Sequence, residues 1–477
     1  MNKSHVFLFV GSALVLAIVP KCSSSPDDCT QTSTCPQEGG DGPAPLVCDT
    51  TKDPKDALGC LDDRVGVFVS PSGSDTNPGT KAAPFQTIGK ALTSVGTLTR
   101  VYVCEGTYAE DVSIAPPVDG VSIYGGFSCT DWSYSGNKPT IGKGNIALKI
   151  TGTTKALVIE DVSVKSADGI PGNESSIAAL VANATGAVTF TRVSLTAGAG
   201  FNGQDGAPGA NYTGTAATGN NANGNAGGPT LACTCTVNDP NPSVGGAGGQ
   251  GGGSLQSGAG GGPNLGGGAG GIMNDACAGP GSGGDGNPAP TAGTDGVSPA
   301  ALGAFDATGW APTAGATGKN GAPGQGGGGG AGTAQGGGGG GGCGGCGGGG
   351  GAGGAGGGAS IALASIASTV AVNASTLTAG NAGNGGKGAA GQVGQSGGPH
   401  GNGSGCSGGA GGNGSAGGTG AGGAGGISVG VLYKGAVPTV DSATTTATGT
   451  AGAKGTGGTA GSNDGIAGVA QASLQAP

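Results

Sequence analysis

The sequence is poor in the side chains that carry most enzyme chemistry. It contains two histidines, and only His400 lies outside the N-terminal apolar segment, within a glycine-rich stretch. Catalytic Ser–His–Asp and Cys–His arrangements need a histidine held next to the nucleophile. Arginine is also scarce, with Arg64, Arg100 and Arg192 as the whole set. These shortages argue against nucleophilic catalysis of either kind, and we expect no catalytic residue.

Charged residues are few as well, and they do not cluster. The chain has 18 basic and 27 acidic residues, a formal net charge of −9 and a pI near 4.6. A protein that binds nucleic acid gathers Lys and Arg on one face to neutralise phosphates, so nucleic acid is excluded as a partner. The calcium-like stretch GGDGNPAP at 283–290 lacks the second half of such a repeat. No metal or cofactor is therefore expected.

Long apolar runs are missing except at the start of the chain. Residues 6–19 form one apolar run, which is too short to span a bilayer comfortably and typical of a secretory signal. We assign 1–21 to a signal peptide. Cys22, followed by Ser-Ser-Ser-Pro, resembles the lipidated first residue of a bacterial lipoprotein, although Lys21 replaces the usual small residue before it. Two alternatives stay open, an outer-membrane lipoprotein anchored through Cys22 and a plainly secreted protein.

The cysteines also favour an exported protein. Thirteen cysteines less Cys22 leave an even number, which suits pairing in an oxidising compartment. The pair Cys343-Gly-Gly-Cys346 has the spacing of a redox motif or half a zinc site, but glycine surrounds it and no histidine is near. We interpret these two cysteines as structural disulfide partners.

An internal repeat indicates the architecture. Four segments resemble one another, and each holds two or three short strands in about 20 to 24 residues. Units this small cannot bury an apolar face alone, so they must stack, and short strands at this period predict a parallel β-helix. A leucine-rich repeat has a similar period, but its leucine and asparagine ladder is absent. The four segments are 145–169, 176–198, 360–380 and 427–449.

The composition changes along the chain and divides it into segments. After the signal, 22–64 is interpreted as a cysteine-rich tether that is not a domain of its own. The first β-helix coils occupy 65–198, and two later coils occupy 359–380 and 427–449. Glycine-rich insertions are assigned to 199–358 and 381–426, and a glycine-rich tail to 450–477. The long excursions begin after matching coil exits, so we expect them to stack on one side of the β-helix.

The segment 65–200 resembles a known fold family. VFVSPSGSDTNPGTKAAPFQTIGKAL, VYVCEGTYAEDVSI and VSIYGGF are similar to the N-terminal part of pectin-lyase-like right-handed parallel β-helix proteins. Uncharacterised secreted or lipoprotein members of myxobacterial type look most similar. The resemblance implies an all-β, right-handed helix with an N-terminal capping helix, here Phe85 to Val95, preceded by Pro84. It marks a fold more than an activity.

Glycine recurs at every third position in several stretches. From Gly315 to Gly357 the only exception is Thr333. Polyproline II has three residues per turn, so these glycines line one edge and let another backbone approach. Collagen is disfavoured because the stretch has only Pro323, and a flexible linker needs no such phase. We predict a bundle of antiparallel polyproline-II segments that turns at 333–335, which resembles glycine-rich bundles of antifreeze and mycobacterial surface proteins. Gly414 should lie on a crowded edge and Ser415 away from it.

One group of charged residues on the β-helix is a candidate site. Glu160, Asp161, Lys165 and Arg192 lie in successive repeats, and alignment of VSVKSADG with VSLTAGAG puts Asp161 and Arg192 at the same coil position. Neighbouring strands are about 4.8 Å apart. That spacing favours a structural ion pair over a catalytic site.

A separate alignment, of the first two coils, predicts a disulfide between Cys104 and Cys129. VYVC and VSIYGGFSC lie about one coil apart, with Val101 opposite Val121.

Together with the scarcity of histidine, arginine and clustered charge, these features predict a non-enzymatic structural or adhesive protein at the cell surface or outside the cell. Its expected partner is an envelope or extracellular polysaccharide or protein surface, with the membrane reached only through a lipid anchor. A polysaccharide lyase or hydrolase of the β-helix class is the alternative, on fold analogy alone. Ice binding is the third, because TTTATGT at 444–450 is similar to the threonine arrays of ice-binding β-helices.

Overall fold

The computed structural model describes residues 48–235, 243–263, 267–274, 276–289 and 291–477. Within these ranges the chain is almost entirely β-structure and extended segments, with a 3₁₀ turn at Leu58–Cys60 and one α-helix, α1, at Ile88–Ser94. The strands up to the first long insertion are β1 Gly66–Val69, β2 Arg100–Cys104, β3 Thr107–Tyr108, β4 Val112–Ile114, β5 Ser122–Phe127, β6 Thr140–Ile141, β7 Ile146–Thr151, β8 Leu157–Glu160, β9 Ser163–Lys165, β10 Ser176–Ala182, β11 Val188–Thr191 and β12 Ser194–Thr196.

The remaining strands belong partly to the insertion and partly to later coils. Two short hairpins lie in the insertion, and the other strands rejoin the sheets of the N-terminal part. These strands are β13 Leu231–Ala232, β14 Val244–Gly245, β15 Gly303–Asp306, β16 Gly309–Pro312, β17 Ser360–Ile366, β18 Val370–Asn373, β19 Thr376–Thr378, β20 Ser428–Lys434, β21 Thr439–Val440, β22 Thr445–Ala447 and β23 Ala470–Gln475.

Three parallel sheets build a β-helix, as the repeat predicts. Sheet A has the order β1-β2-β5-β8-β11-β18-β21, sheet B β3-β6-β9-β12-β19-β22, and sheet C β4-β7-β10-β17-β20-β23. Each coil after β1 contributes one strand to every sheet. Ile146, Ile177, Ile361 and Val429 are in register on sheet C, so the four repeated segments are successive coils.

Helix α1 packs its apolar side onto the first coils, where Ile88, Ala91 and Leu92 are buried in the same core as the inward strand residues. It begins later than predicted. The Phe85 amide donates to the Phe68 carbonyl at 2.9 Å, so this residue is paired with β1 and not helical. The hydroxyl of Thr87 caps the helix by accepting the Lys90 amide at 3.2 Å.

The glycine-rich excursions form a hydrogen-bonded bundle. The segments 315–333 and 336–354 run antiparallel, and their bonds recur every three residues, from Gly315 N–H to the Gly354 carbonyl up to Thr333 and Gly336. The turn at 333–335 is therefore where the sequence predicts it. The bundle is not wholly antiparallel, because 339–357 donates to 406–424 in parallel register.

The all-glycine run at 336–342 lies at the centre of the bundle. The successive amides of this run, together with the amide of Cys343, donate to three different segments. The carbonyls accept from three other segments. A three-residue period gives such a segment three edges, so a centrally placed segment needs glycine at every position. The acceptor segments are 217–224, 246–249 and 406–409. The donors lie at 228, 327–333 and 398–401, and Gly405 also donates to the Gly337 carbonyl.

These glycines are needed because neighbouring backbones approach them closely, and not because of their own backbone conformation. A Cβ built at Gly414 would lie 2.1 Å from the carbonyl oxygen of Cys346, as the crowded edge predicts. Ser415, however, is not directed away from the bundle. Its amide donates to the Ala322 carbonyl, and its hydroxyl accepts the Ala322 amide at 2.8 Å. The expectation for Ser415 is wrong because a second edge of this segment is also paired.

All three long excursions leave the β-helix at the corner between sheets B and C. They span 197–359, 379–427 and 448–469, and each returns to sheet C. Gly200 donates to the Asn381 carbonyl and Ala382 to the Thr450 carbonyl, so the exits stack on one side of the coil. The last excursion returns as β23, which completes a coil within the segment assigned to a glycine-rich tail.

Candidate functional site

The charged cluster on the β-helix is positioned by one corner of the coil. Asp161 follows β8 and Arg192 follows β11, both at the turn out of sheet A, and both have a φ of 51°. Ala374 occupies the same place after β18, with a φ of 46°. Since successive coils repeat this left-handed corner, the side chains of Asp161 and Arg192 leave the backbone at equivalent points one coil apart.

Arg192 is the centre of the cluster. Its Nε lies 3.0 Å from Asp161 Oδ1, and its Nη2 lies 2.9 Å from Asp161 Oδ2, so the predicted ion pair is confirmed. Nη2 also donates to Glu160, and Nη1 lies 3.3 Å from Asp53 Oδ2. The Tyr134 hydroxyl donates to Asp161 Oδ2 at 3.2 Å. Three carboxylates thus share one guanidinium.

The cluster is closed to solvent on most sides. Glu160 and Asp161 are each 3% exposed, and Asp53 reaches the cluster from the segment 48–64. Burial raises the pKa of Glu160 to about 7 despite the neighbouring Arg192, and the charges of Asp53 and Asp161 act in the same direction. Glu160 and Asp161 are therefore the enclosed members of the cluster, while Asp53 and Arg192 are partly exposed.

The sequence identifies only part of this cluster. Lys165 is exposed on β9 and forms no ion pair among the described residues, so it does not belong to the group. Asp53 and Tyr134 are members that the repeat pattern does not reveal. Neither lies in a repeated position, and both arrive through loops whose course the coil period does not encode.

Glu160→Gln tests the titration of the cluster. Folding raises the Glu160 pKa from its ordinary 4.5 to about 7, so over this interval the folded state binds a proton that the unfolded state has lost. This contribution to stability is full below about pH 4.5 and is lost as the pH rises through 7. Glu160→Gln removes this titration. As the pH rises, we expect the free energy of unfolding of the variant to fall by on the order of 2–3 kcal/mol less than that of the wild type.

The measurement is chemical denaturation of the wild type and the variant at a series of pH values. Asp119→Asn is the control of opposite sign, because bonds from Thr154 and Lys155 lower the Asp119 pKa below 3.8. The Asp119→Asn variant should be less stable than the wild type near neutral pH, and this difference should disappear in acid, where the wild type loses the contribution of the ionised carboxylate. A parallel pH dependence of wild type and Glu160→Gln would contradict the assignment.

The described cysteines form five disulfides. Cys104 and Cys129 are joined with a Cα–Cα distance of 5.0 Å, although Val101 pairs with Ile123 and not with Val121. Cys22 lies outside the described residues. The other four bonds are Cys48–Cys60, Cys233–Cys343, Cys235–Cys346 and Cys277–Cys406.

The disulfides indicate an extracellular or exported protein. Across the described ranges, no helix has the length and apolar character needed to cross a bilayer. Within the same ranges, no group of three or more His, Cys, Asp or Glu side chains is placed to hold a metal ion.

The outer faces of two sheets are partly covered by the chain itself, although the last strand of sheet A, β21, is exposed. On sheet A, Phe68, Tyr102 and Tyr124 pack under Leu61, and the Tyr102 hydroxyl donates to the Cys60 carbonyl at 2.7 Å. The segment 48–64, which the sequence assigns to a tether, therefore lies against this face. On sheet C, outward residues such as Ile177 and Leu432 share an apolar cluster with residues of the β15–β16 hairpin.

Sheet B keeps an open outer face. Six hydroxyl residues are in register on it, one from each coil, and none of them is buried. Their inward neighbours, such as Leu195 and Leu377, fill the core, so the hydroxyl residues point outward. We call this set the hydroxyl column. Its members are Thr107, Thr140, Ser163, Ser194, Thr376 and Thr445.

Comparison with known proteins supports the fold class and no named activity. Residues 71–197 match a family described as "Protein of unknown function (DUF1565)", which is associated with β-helix-like proteins. The match covers the first coils up to the exit of the long insertion. Comparisons with curated proteins and with solved structures gave no match.

Proposed function

We propose that this protein is a non-enzymatic, exported structural or adhesive protein whose contact face is the outer side of sheet B. The hydroxyl column carries the proposal, because it runs in register through every coil on a face that the described chain leaves open, whereas sheet C and the first coils of sheet A are covered. Parallel strands repeat about every 4.8 Å, so the column presents hydroxyl groups at regular intervals along the coil axis.

A flat row of hydroxyl groups suits a partner that is itself polar, extended and uncharged. Ser and Thr both donate and accept hydrogen bonds, as sugar hydroxyls do. The nearby bundle offers a second surface with few charges. We infer that the partner is an envelope or extracellular polysaccharide, or a protein surface of similar polarity.

Closure of the charged cluster supports a non-enzymatic role. The carboxylates of Glu160 and Asp161 are buried against Arg192, so neither is free to abstract a proton from a polymer. The runner-up, polysaccharide cleavage, has a direct assay. New reducing ends or an unsaturated product from uronate-rich or neutral polysaccharide, lost in Asp161→Ala, would establish an enzyme.

The contact face is tested by placing a charge on it. Thr376→Lys inserts a long cation into the hydroxyl column, and we expect binding to insoluble cell-envelope polysaccharide to weaken about tenfold. Thr439→Lys is the matched control, since this exposed threonine lies on sheet A. Co-sedimentation with the polysaccharide measures both. Equal binding by the two variants and the wild type would remove sheet B from the proposal.

Ice binding is the third candidate, and the same column favours it. Thr376 and Thr445 are adjacent members whose hydroxyls lie 3.4 Å apart, and Thr378 extends the array on the next outward row. Thermal hysteresis in dilute solution, abolished by Thr376→Lys, would replace polysaccharide with ice as the partner.

Membrane attachment through Cys22 is proposed on the sequence alone. Mass spectrometry of the mature N-terminus distinguishes a lipidated cysteine from a plainly secreted chain.

A further inference from the structure

A groove lies where the glycine-rich insertion meets the β-helix. It has a volume of about 390 Å³ and is bounded by the β15–β16 hairpin, the start of β7 and the loop 172–175. Pockets that take small organic ligands fall in this size range and occur preferentially between structural units.

The hairpin that forms one wall is held firmly. Phe305 and Trp310 are 4% and 8% exposed and pack on the outer residues of sheet C. The buried hydroxyl of Ser175 donates to the Trp310 carbonyl at 3.1 Å and accepts the Ala359 amide at 3.1 Å. The wall of the groove is therefore fixed to the coil before any ligand arrives.

The lining combines an apolar side with a polar side. Ile146 and Pro312 supply apolar surface beside the largely buried Trp310, and Asn145 and Glu174 supply hydrogen-bonding groups. The Asn145 Nδ2 group donates to the Ser175 carbonyl at 2.9 Å, which fixes the orientation of its amide. A pyranose ring has the matching character, with C–H groups on its faces and hydroxyls around its edge.

Charge narrows the class of ligand. Glu174 is the one charged residue among the described residues that line the groove, and its Oε1 accepts the Gly172 amide at 3.0 Å. A single carboxylate repels phosphate and uronate groups, and no cation is present to pair with them. The buried indole N–H of Trp310 has no acceptor among the described residues.

We propose that this groove binds a segment of a neutral oligosaccharide. The inference rests on the proposed adhesive function and deepens it, because it adds a second sugar-binding surface that lies on sheet C and not on sheet B. A polymer held at both places would be bound along the coil and at the base of the bundle.

The groove is tested by blocking its mouth. Ala314 is exposed and lines the groove, and Thr317 is the exposed residue one three-residue period further along the same segment. Ala314→Tyr should weaken binding of soluble neutral oligosaccharides, such as cello- and xylo-oligosaccharides, at least tenfold, whereas Thr317→Tyr should leave it unchanged. Both variants add the same bulk to the bundle, so a general effect on folding is controlled.

Tryptophan fluorescence reports binding at the groove itself. The chain has two tryptophans, Trp132 and Trp310, so a Trp132→Phe background leaves Trp310 as the reporter. We expect neutral oligosaccharides to change its emission in a saturable manner. Uronate oligomers should not.

The outcomes separate this inference from the proposed function. If Ala314→Tyr binds soluble oligosaccharides like the wild type, or if only uronates bind, the groove assignment is overturned. Binding of insoluble polysaccharide that depends on Thr376 leaves the proposed function standing in either case. If no oligosaccharide binds, the groove assignment also fails, independently of the co-sedimentation result.

Discussion

Gly341→Ala is expected to destabilise the protein by about 3 kcal/mol, a large effect for one added methyl group. A Cβ at this position would lie 1.9 Å from the carbonyl oxygen of Gly327, and that backbone is held by further hydrogen bonds. The segment cannot move away from one neighbour without pressing on another, because it is surrounded on all its edges. Calorimetric unfolding measures the loss.

Gly253→Ala is the matched control. This glycine lies in a turn of the same insertion, and a Cβ there meets nothing within 4 Å. Alanine restricts the unfolded chain more than glycine does, so the control should be neutral or gain about 0.4–1 kcal/mol. Similar melting of the two variants would show that the glycine-rich tract is flexible and not a packed bundle.

Removal of a bundle disulfide should have the second large effect. Cys277 and Cys406 are 129 residues apart, and none of the other four disulfides closes the same loop. In the chain-entropy model, opening a loop of this size lowers the free energy of unfolding by about 4–5 kcal/mol. Glycine contributes little burial to offset the entropy of ordering the backbone, so the bundle depends on such bonds more than a protein with a large apolar core. We expect Cys277→Ala/Cys406→Ala to lower the unfolding temperature sharply.

Cys48→Ala/Cys60→Ala provides the comparison. This bond encloses a separation of only 12 residues, for which the same model gives about 3 kcal/mol or less. Both double variants are followed by calorimetry without reductant. An equal or larger loss from the short loop would mean that bundle stability does not come from restricting the unfolded chain.

The coil architecture was predictable because the same kind of residue fills the core in each repeat. Val164, Leu195 and Leu377 occupy one register position in the core, and a parallel sheet tolerates few alternatives there. Strand β23 gave no such signal. Its sequence AQASLQ has no β-branched residue, and pairing with β20 makes it a strand.

Contacts between distant segments were less accessible to prediction. Asp161 and Arg192 could be paired because the coil repeat fixes their relation, whereas the approach of Asp53 depends on where the segment 48–64 lies. The same holds for Cys343 and Cys346. Their partners Cys233 and Cys235 are set by the register between glycine-rich segments, and a uniform glycine period does not specify that register.

The corner at which all three excursions leave the coil lets the length of the chain vary independently of the β-helix. The connections between sheets B and C differ greatly in length. They are short at 142–145 and 166–175 in early coils and very long at 197–359, yet the strands on either side keep the same register. Chain can therefore be gained or lost at this one point without disturbing inward-facing residues. Length variation among relatives, and tolerance to grafted segments in an engineered scaffold, should concentrate at the turn from sheet B to sheet C.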